Sequence, residues 1–337
     1  VDDIKNTQVS SCKMQKLPGA SPFVVPKQSF QDFEDLRETI KHWNLDFRQL
    51  EAGRFRGEIL QVNSEDVCYV NARFRQKLHQ QGAAPEEYFT VAIPGTSCQR
   101  LRWHGYDVSA SDIMIFPSDG ELNSASDENF HVYTVSLSEE KFQEAFAIQD
   151  ASAGRVQFSG PRVIRCRADS VRQLLRLLHK ISVTHPPTST EENADLRMEL
   201  LSQTLPMLLT RVITEATNGE APRLSAKRRA LVSKAIALIQ QSSHFPITVE
   251  DICERTGVSM RTLQYAFRQC LNVTPKCYIQ AYRLQRVKAE LACHRHSPLL
   301  VSDVANKWGF WHMGDFARIY QRFFLEKPSE TRRFFSS

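Results

Sequence analysis

Between residues 247 and 334 one pattern is written twice, and a self-match at fixed spacing restricts that stretch to two copies of a single structural unit. The first copy runs Ile247-Thr248-Val249-Glu250-Asp251-Ile252-Cys253-Glu254-Arg255-Thr256-Gly257-Val258-Ser259. The second runs Leu299-Leu300-Val301-Ser302-Asp303-Val304-Ala305-Asn306-Lys307-Trp308-Gly309-Phe310-Trp311. Asp251 matches Asp303, Ile252 matches Val304, Cys253 matches Ala305, Gly257 matches Gly309 and Val258 matches Phe310, all at an offset of 52. Beyond that point the offset is 53, pairing Leu263 with Phe316, Phe267 with Tyr320 and Pro275 with Pro328.

Each copy reads as a helix-turn-helix, over 247–270 and 299–323. Thr248 with Asp251 three residues on is a capping-box-like pair, and Glu250 favours the positive end of the helix. Small Cys253 and Ala305 stand where two helices approach closely. Gly257 and Gly309 suit the turn, where a left-handed backbone is cheap for glycine. Ser259 caps the second helix of the first copy, and Leu263 and Phe267 hold one of its faces inward. Met260, Arg261, Gln264, Tyr265 and Arg268 then face outward, a set able to hydrogen-bond base edges and phosphates. In the second copy Leu300 replaces the capping Thr, so its first helix is capped differently or frays. Phe316 and Tyr320 point inward there, leaving Met313, Gly314, Ala317, Arg318 and Gln321 outward behind Trp311 and His312. Arg318 is the strongest base-reading candidate of that copy, so the first copy is expected to discriminate sequence more.

Between the copies Pro275 opens an expected helix from Lys276 to about His294, since Pro fits the first helical position. Its stripe is Tyr278, Tyr282, Leu284, Val287 and Leu291, with Arg283, Arg286 and Lys288 facing away. Some 19 residues at 1.5 Å each span about 28 Å, near the ~34 Å between equivalent major-groove positions. Arg283 and Arg286 are read as phosphate contacts, with a solvated basic face as the equal alternative.

Charge is partitioned to match. Residues 223–337 hold 19 Lys and Arg against 8 Asp and Glu, a net +11, and the remainder is net −6, so attraction to a polyanion is confined to the C-terminal third. Residues 1–27, with Pro18, Pro22 and Pro26, read as a loose arm. Over 28–52, Phe30, Phe33, Leu36, Ile40 and Trp43 recur at helical spacing. Strand-like runs follow at Phe55–Val62, Val67–Phe74, Tyr88–Ile93, Ile113–Phe116 and Phe130–Leu137, separated by Gly- and Pro-containing turns, and suggest a small antiparallel barrel or sandwich. Helical runs occupy 169–183 and, after a loop over 184–193, 194–217, where Pro206 is expected to kink or split the helix. Residues 28–183 are thus read as a sensor domain, 184–217 as a helical dimerisation or packing segment, 218–222 as a flexible hinge and 223–337 as the DNA-binding domain.

The C-terminal residues resemble the DNA-binding domain of the AraC/XylS family of bacterial transcription regulators. The likeness rests on Val258-Ser259-Met260-Arg261-Thr262-Leu263 with Phe267 and Thr274-Pro275, and on Gly309-Phe310, Phe316, Arg318 and Lys327-Pro328-Ser329. It covers roughly 223–334. Asn272 departs from the usual Gly, and Trp308-Gly309-Phe310-Trp311-His312 looks like the ethanolamine-utilisation regulators of that family. The resemblance implies an α+β chain: a cupin-like small antiparallel β-barrel with a helical hairpin, then an all-α double helix-turn-helix domain. It also implies double-stranded DNA and RNA polymerase as partners, a small-molecule effector, a homodimer and an activator's role.

No cofactor is expected. Metal-binding cupins need two His one residue apart, a Glu and a later His; His104 and His131 stand alone, and His294/His296 lie in the C-terminal domain. Ser97, Cys98 and His104 lack the strand-turn-helix setting of a nucleophile, so no enzyme is expected. Phe89, Trp103, Tyr106, Phe116, Phe130 and Tyr133 are read as either a ligand cavity or an ordinary core. Eight scattered Cys without a CxxC pair read as reduced core residues. With no signal sequence or membrane-length apolar run, a cytoplasmic protein is expected. Two other readings stay open: an enzyme with a DNA-binding tail, such as a methyl-accepting Cys protein, and a basic module that meets an acidic protein.

Overall fold

A computed structural model describes residues 23–30, 36, 43–95, 101–117, 119–149, 155–158, 160–183, 191–242, 246–293 and 300–333. The N-terminal part is built on two antiparallel sheets. The larger contains β1 (Phe23–Phe30), β3 (Gly57–Asn63), β4 (Val67–Phe74), β6 (Tyr88–Pro94), β9 (Asp112–Ile115), β11 (Phe130–Ser138), β12 (Arg162–Arg165) and β13 (Thr217–Glu220). Their spatial order is β1-β3-β4-β11-β6-β9-β12-β13. The smaller sheet contains β2 (Asn44–Gln49), β5 (Leu78–Ala83), β7 (Leu101–Trp103), β8 (Tyr106–Val108) and β10 (Glu121–Ser126), ordered β2-β5-β10-β7-β8.

The cupin-like barrel that the resemblance implies is not closed among the described residues; the sheets face each other as an open sandwich, the other form the strand pattern allowed. β7 and β8 are only three residues long, and the bridge outside the named strands at Tyr106 is to Arg223 rather than to the larger sheet. The two-residue period of a strand sorts side chains between two cores. Ile59, Val70, Ala72, Phe74, Ala92, Phe130 and Val132 face the smaller sheet, while Leu60, Val62, Tyr69, Val91, Ile93, Tyr133 and Val135 face the helices on the other side.

Those helices are α1 (Glu139–Gln149), α2 (Ala168–Val183), α3 (Glu191–Glu199) and α4 (Leu205–Thr214). Pro206 divides the last run as expected: a π-helical turn, Leu200–Thr204, precedes it, and Pro occupies the first turn of α4. Leu201, Leu205, Leu209 and Val212 join Val171, Leu174 and Leu178 in one core with the large sheet. The apolar face of this pair is therefore consumed within the chain.

Three expectations fail here. Residues 23–27 belong to β1 rather than to a loose arm, and residues 1–22 lie outside the described residues. The helix expected over 28–52 is replaced by strand at Phe30 and over Asn44–Gln49; Leu36 is helical and buried, and most of 31–42 lies outside the described residues. Finally, 218–222 is no free hinge. Thr217–Glu220 pairs with β12, the Ala221 N–H donates to the Val163 carbonyl, and Leu224 N–H donates to the Gly105 carbonyl.

The C-terminal part is helical: α5 (Ala226–Gln241), α6 (Val249–Thr256), α7 (Met260–Leu271), α8 (Pro275–Cys293), α9 (Val301–Lys307), α10 (Met313–Phe324) and α11 (Pro328–Arg333). Its core unites Ile236, Ile252, Leu263, Phe267, Tyr278, Leu284, Val304, Phe316 and Tyr320. Leu50 and Ala125 of the sandwich enter the same core, so the outer face of the small sheet and the helical part pack directly together.

Candidate nucleic-acid interface

Both halves of the repeat fold as helix, turn and helix, α6–α7 and α9–α10, with α8 between them. Thr248 Oγ1 accepts from the Asp251 N–H at 3.1 Å and the Thr248 N–H donates to the Asp251 carboxylate at 2.8 Å. The Thr248 N–H and hydroxyl, both donating to the Asp251 carboxylate, favour its ionised form and hold the carboxyl below its usual range. In the second unit Leu300 has no acceptor, yet its N–H donates to Asp303 at 3.2 Å, so half of the capping box survives. The turns agree in detail. Val258 N–H donates to Cys253 O at 3.2 Å and Phe310 N–H to Ala305 O at 2.9 Å, the same closure spanning six residues. Gly257 and Gly309 have φ of 69° and 82°. A Cβ on Gly309 would stand 2.6 Å from Pro246 Cγ, whereas one on Gly257 meets nothing within 4 Å.

Helix α7 is capped by Ser259, whose hydroxyl accepts from the Thr262 N–H. Leu263, Ala266 and Phe267 are buried, while Ser259, Met260, Arg261, Tyr265 and Arg268 are exposed and Gln264 is half-buried. Arg228 of α5, a residue the sequence reading passed over, holds its guanidinium 5.1 Å from the centre of the Tyr265 ring. The basic run Lys227-Arg228-Arg229 behind the Ser225 cap was the available signal. Helix α10 buries Phe316, Tyr320 and Phe324; Trp311, His312 and Arg318 are exposed, and Met313 is half-buried against the core. Trp311 is 66% exposed, a large apolar surface at the head of that helix. Arg318 rests on Asp315 at 2.7 Å, an exposed pair one helical turn apart and worth little in water.

The two Arg of α8 divide. Arg283 does not face away as expected: its Nη2 donates to the Ile247 carbonyl at 2.6 Å, and burial lowers its pKa. It fastens α8 to the strand-like entry of the first unit. Arg286 is exposed, with its guanidinium 5.2 Å from the centre of the Trp308 ring. Glu290 accepts from both Trp308 Nε1 and Lys307 Nζ at 2.8 Å, fixing the end of α9 against α8.

Elsewhere, His104 is buried and its Nε2 lies 2.9 Å from the Glu121 carbonyl, while His131 Nε2 lies 3.0 Å from Asn71 Oδ1. Ser97, Cys98, His294 and His296 lie outside the described residues. Burial raises the thiol pKa of Cys68 and Cys166 to about 12, as expected of core residues, but Cys277 and Cys293 are exposed on α8. Among the described residues, no helix is long and apolar enough to cross a membrane.

A family model described as a helix-turn-helix domain matches residues 252–333, the stretch containing both units. The chain is 30% identical over 129 residues to the probable thc operon regulatory protein of Rhodococcus erythropolis, covering 37% of this chain and 39% of that protein. To the HTH-type transcriptional activator RhaR of Escherichia coli (strain K12) it is 26% identical over 244 residues, 71% of this chain and 81% of that one. A solved probable AraC family transcriptional regulator from Rhodopseudomonas palustris CGA009 is 32% identical, covering 32% of this chain and 97% of that chain with a TM-score of 0.30. Fold and repeat define a protein with a double helix-turn-helix domain. The chain is similar to transcription regulators of the AraC/XylS family, with the likeness strongest over its helix-turn-helix domain.

Proposed function

We propose that this chain is a sequence-specific, DNA-binding transcription activator whose two reading helices enter adjacent major-groove segments of one duplex. The carrying observation is the pair of equivalent units flanking α8, each with an inward apolar face and an outward polar one. A net +11 over 223–337 supplies the attraction to phosphate. Arg261, Gln264, Tyr265 and Arg318 would read base edges; Ser259, Arg268, Arg286 and His312 would meet the backbone; Met260, Trp311 and Met313 would make apolar contact with thymine methyl groups. Arg283 contributes as a fastener of the first unit. The likeness to RhaR, named as an activator, supports the sign of regulation. A small-molecule effector in the N-terminal sandwich, a homodimer, contact with RNA polymerase and a cytoplasmic location complete the reading, and no catalytic step is assigned.

The test is retardation of a duplex from the region upstream of the chain's own gene against a scrambled duplex. Arg261→Ala or Arg318→Ala should cost about 1–3 kcal/mol on the true site and relax base choice at the contacted position. If either variant binds both duplexes as the parent does, that residue does not read a base. If the parent itself prefers neither, the chain is not a sequence-specific reader.

A further inference from the structure

Between the two sheets lies a cavity of about 60 Å³. Its walls are apolar side chains such as Phe47, Met114, Phe116 and Phe130, and among the described residues no charged one lines it. Three expected lining residues are present, Trp103, Phe116 and Phe130; Phe89 and Tyr133 face the helical side instead, and Tyr106 lies under Arg223. The polar atoms on the lining are of one kind wherever they lack a partner. Trp43 Nε1, Trp103 Nε1 and Gln80 Nε2 are each buried without a hydrogen-bond acceptor, and all three residues line this one cavity. Trp103 is 1% and Gln80 7% exposed. A buried N–H without an acceptor costs roughly 1–3 kcal/mol, so three on one wall select for something that accepts.

From this donor set we infer the chemical class of the effector: a compact, neutral, mainly apolar molecule carrying a carbonyl- or ether-type oxygen. This rests on the reading of the sandwich as the effector domain. Unpartnered donors on three of its lining residues demand acceptor lone pairs, and the apolar remainder of the wall demands a hydrocarbon body. A carboxylate would meet donors but no cation, and would carry its full desolvation cost into the cavity. An ammonium or a polyol would add donors to a wall already in excess of them. The volume is far below the roughly 300–1,000 Å³ of sites for drug-sized ligands, so the body is one small ring at most. Trp43 is half-buried and stands edge-on to Phe116, another lining residue, with ring centroids 5.8 Å apart.

The test uses the full chain labelled with ¹⁵N at its tryptophan indoles and three five-membered-ring probes: cyclopentanone, cyclopentane and cyclopentanecarboxylate. Four indole signals are expected, assigned by Trp→Phe variants. Cyclopentanone should move the Trp43 and Trp103 signals downfield in a saturable way. It should leave in place Trp308, whose Nε1 already donates to Glu290, and exposed Trp311. Cyclopentane should bind without that downfield move, and the carboxylate should bind most weakly. Gln80→Leu should weaken cyclopentanone about threefold to tenfold and spare cyclopentane; if that variant loses its native circular dichroism, Trp103→Phe takes its place. The inference fails if neither cavity signal moves, if cyclopentane binds as tightly as cyclopentanone, or if the carboxylate binds best. In each case the unliganded chain's retardation of its cognate duplex still reports separately on the DNA-binding reading.

Discussion

At the residue scale, the two arginines of α8 show how position decides what a cation does. Arg283 and Arg286 lie three apart, yet Arg283 is spent on the Ile247 carbonyl and Arg286 lies exposed beside Trp308. Arg283→Ala should therefore lower stability, by about 1–2 kcal/mol for a partly buried charge-assisted hydrogen bond, with no change in base preference. Arg286→Ala should weaken binding to every duplex alike and flatten the salt slope by about one phosphate equivalent. Thermal melting and salt titration of both variants separate the roles; a sequence-selective loss in Arg286→Ala, or an unchanged melting temperature in Arg283→Ala, contradicts the assignment. The exposed rows of α7 and α10 were legible from heptad-like spacing alone. Arg283 was not, because a period says which face a residue is on and not whether another segment of chain covers that face.

At the scale of the element, the turns of the two units look interchangeable in sequence and are not equally constrained. Both glycines sit at positive φ, which costs a side chain about 1 kcal/mol. Gly309 has Pro246 against it in addition. Gly257→Ala should cost about 1 kcal/mol and Gly309→Ala about 2–4 kcal/mol, the excess being overpacking. Melting curves of the two variants check the order, and equal losses would contradict it. The repeat made these elements readable, since caps, turn glycines and inward positions all agreed. Long apolar strands such as Val67–Phe74 were equally plain. Strands β5 and β10 were not: Leu78-His79-Gln80-Gln81-Gly82-Ala83 and Glu121-Leu122-Asn123-Ser124-Ala125-Ser126 are largely polar yet packed on both faces, Gln80 and Ser124 toward the other sheet and His79 toward the helical part. That packing is tertiary, and no local pattern announces it. The cavity donors belong to the same blind spot, because Gln80 looks like a surface residue until both sheets are in place.

At the scale of the whole molecule the chain is four layers: helices α1–α4, the large sheet, the small sheet and the double helix-turn-helix part. The last contact is polar as well as apolar. Arg48 of β2 is buried with its guanidinium 5.7 and 4.7 Å from the ring centres of Tyr278 and Tyr282. His79 of β5 bridges Tyr278 Oη at 3.1 Å and Asn123 Oδ1 at 3.4 Å, and Gln285 Nε2 donates to the Gln49 carbonyl at 2.8 Å. Burial, with Arg48 adding to it, lowers the His79 pKa to about 3; burial lowers those of His104 and His131 to about 4. All three are held neutral in the fold, whereas in the unfolded chain they take up protons below about pH 6.5. The unfolded state then binds more protons, so stability falls as pH drops from about 6.5 toward 4, by up to roughly 1.4 kcal/mol per histidine for each pH unit. Thermal melts between pH 7.5 and 5 should fall accordingly, and a flat profile would show these histidines to be solvated.

The small sheet is a partition one strand thick. Phe47 and Gln80 look into the cavity, and their immediate neighbours Arg48 and His79 hold α8. Any substitution on β2 or β5 that reshapes the cavity falls one residue away from the side chains that join the sandwich to the helical part. Libraries built on those strands therefore need a check of the seam with α8 beside any check of the cavity, since the two surfaces are written on alternate residues of the same strands.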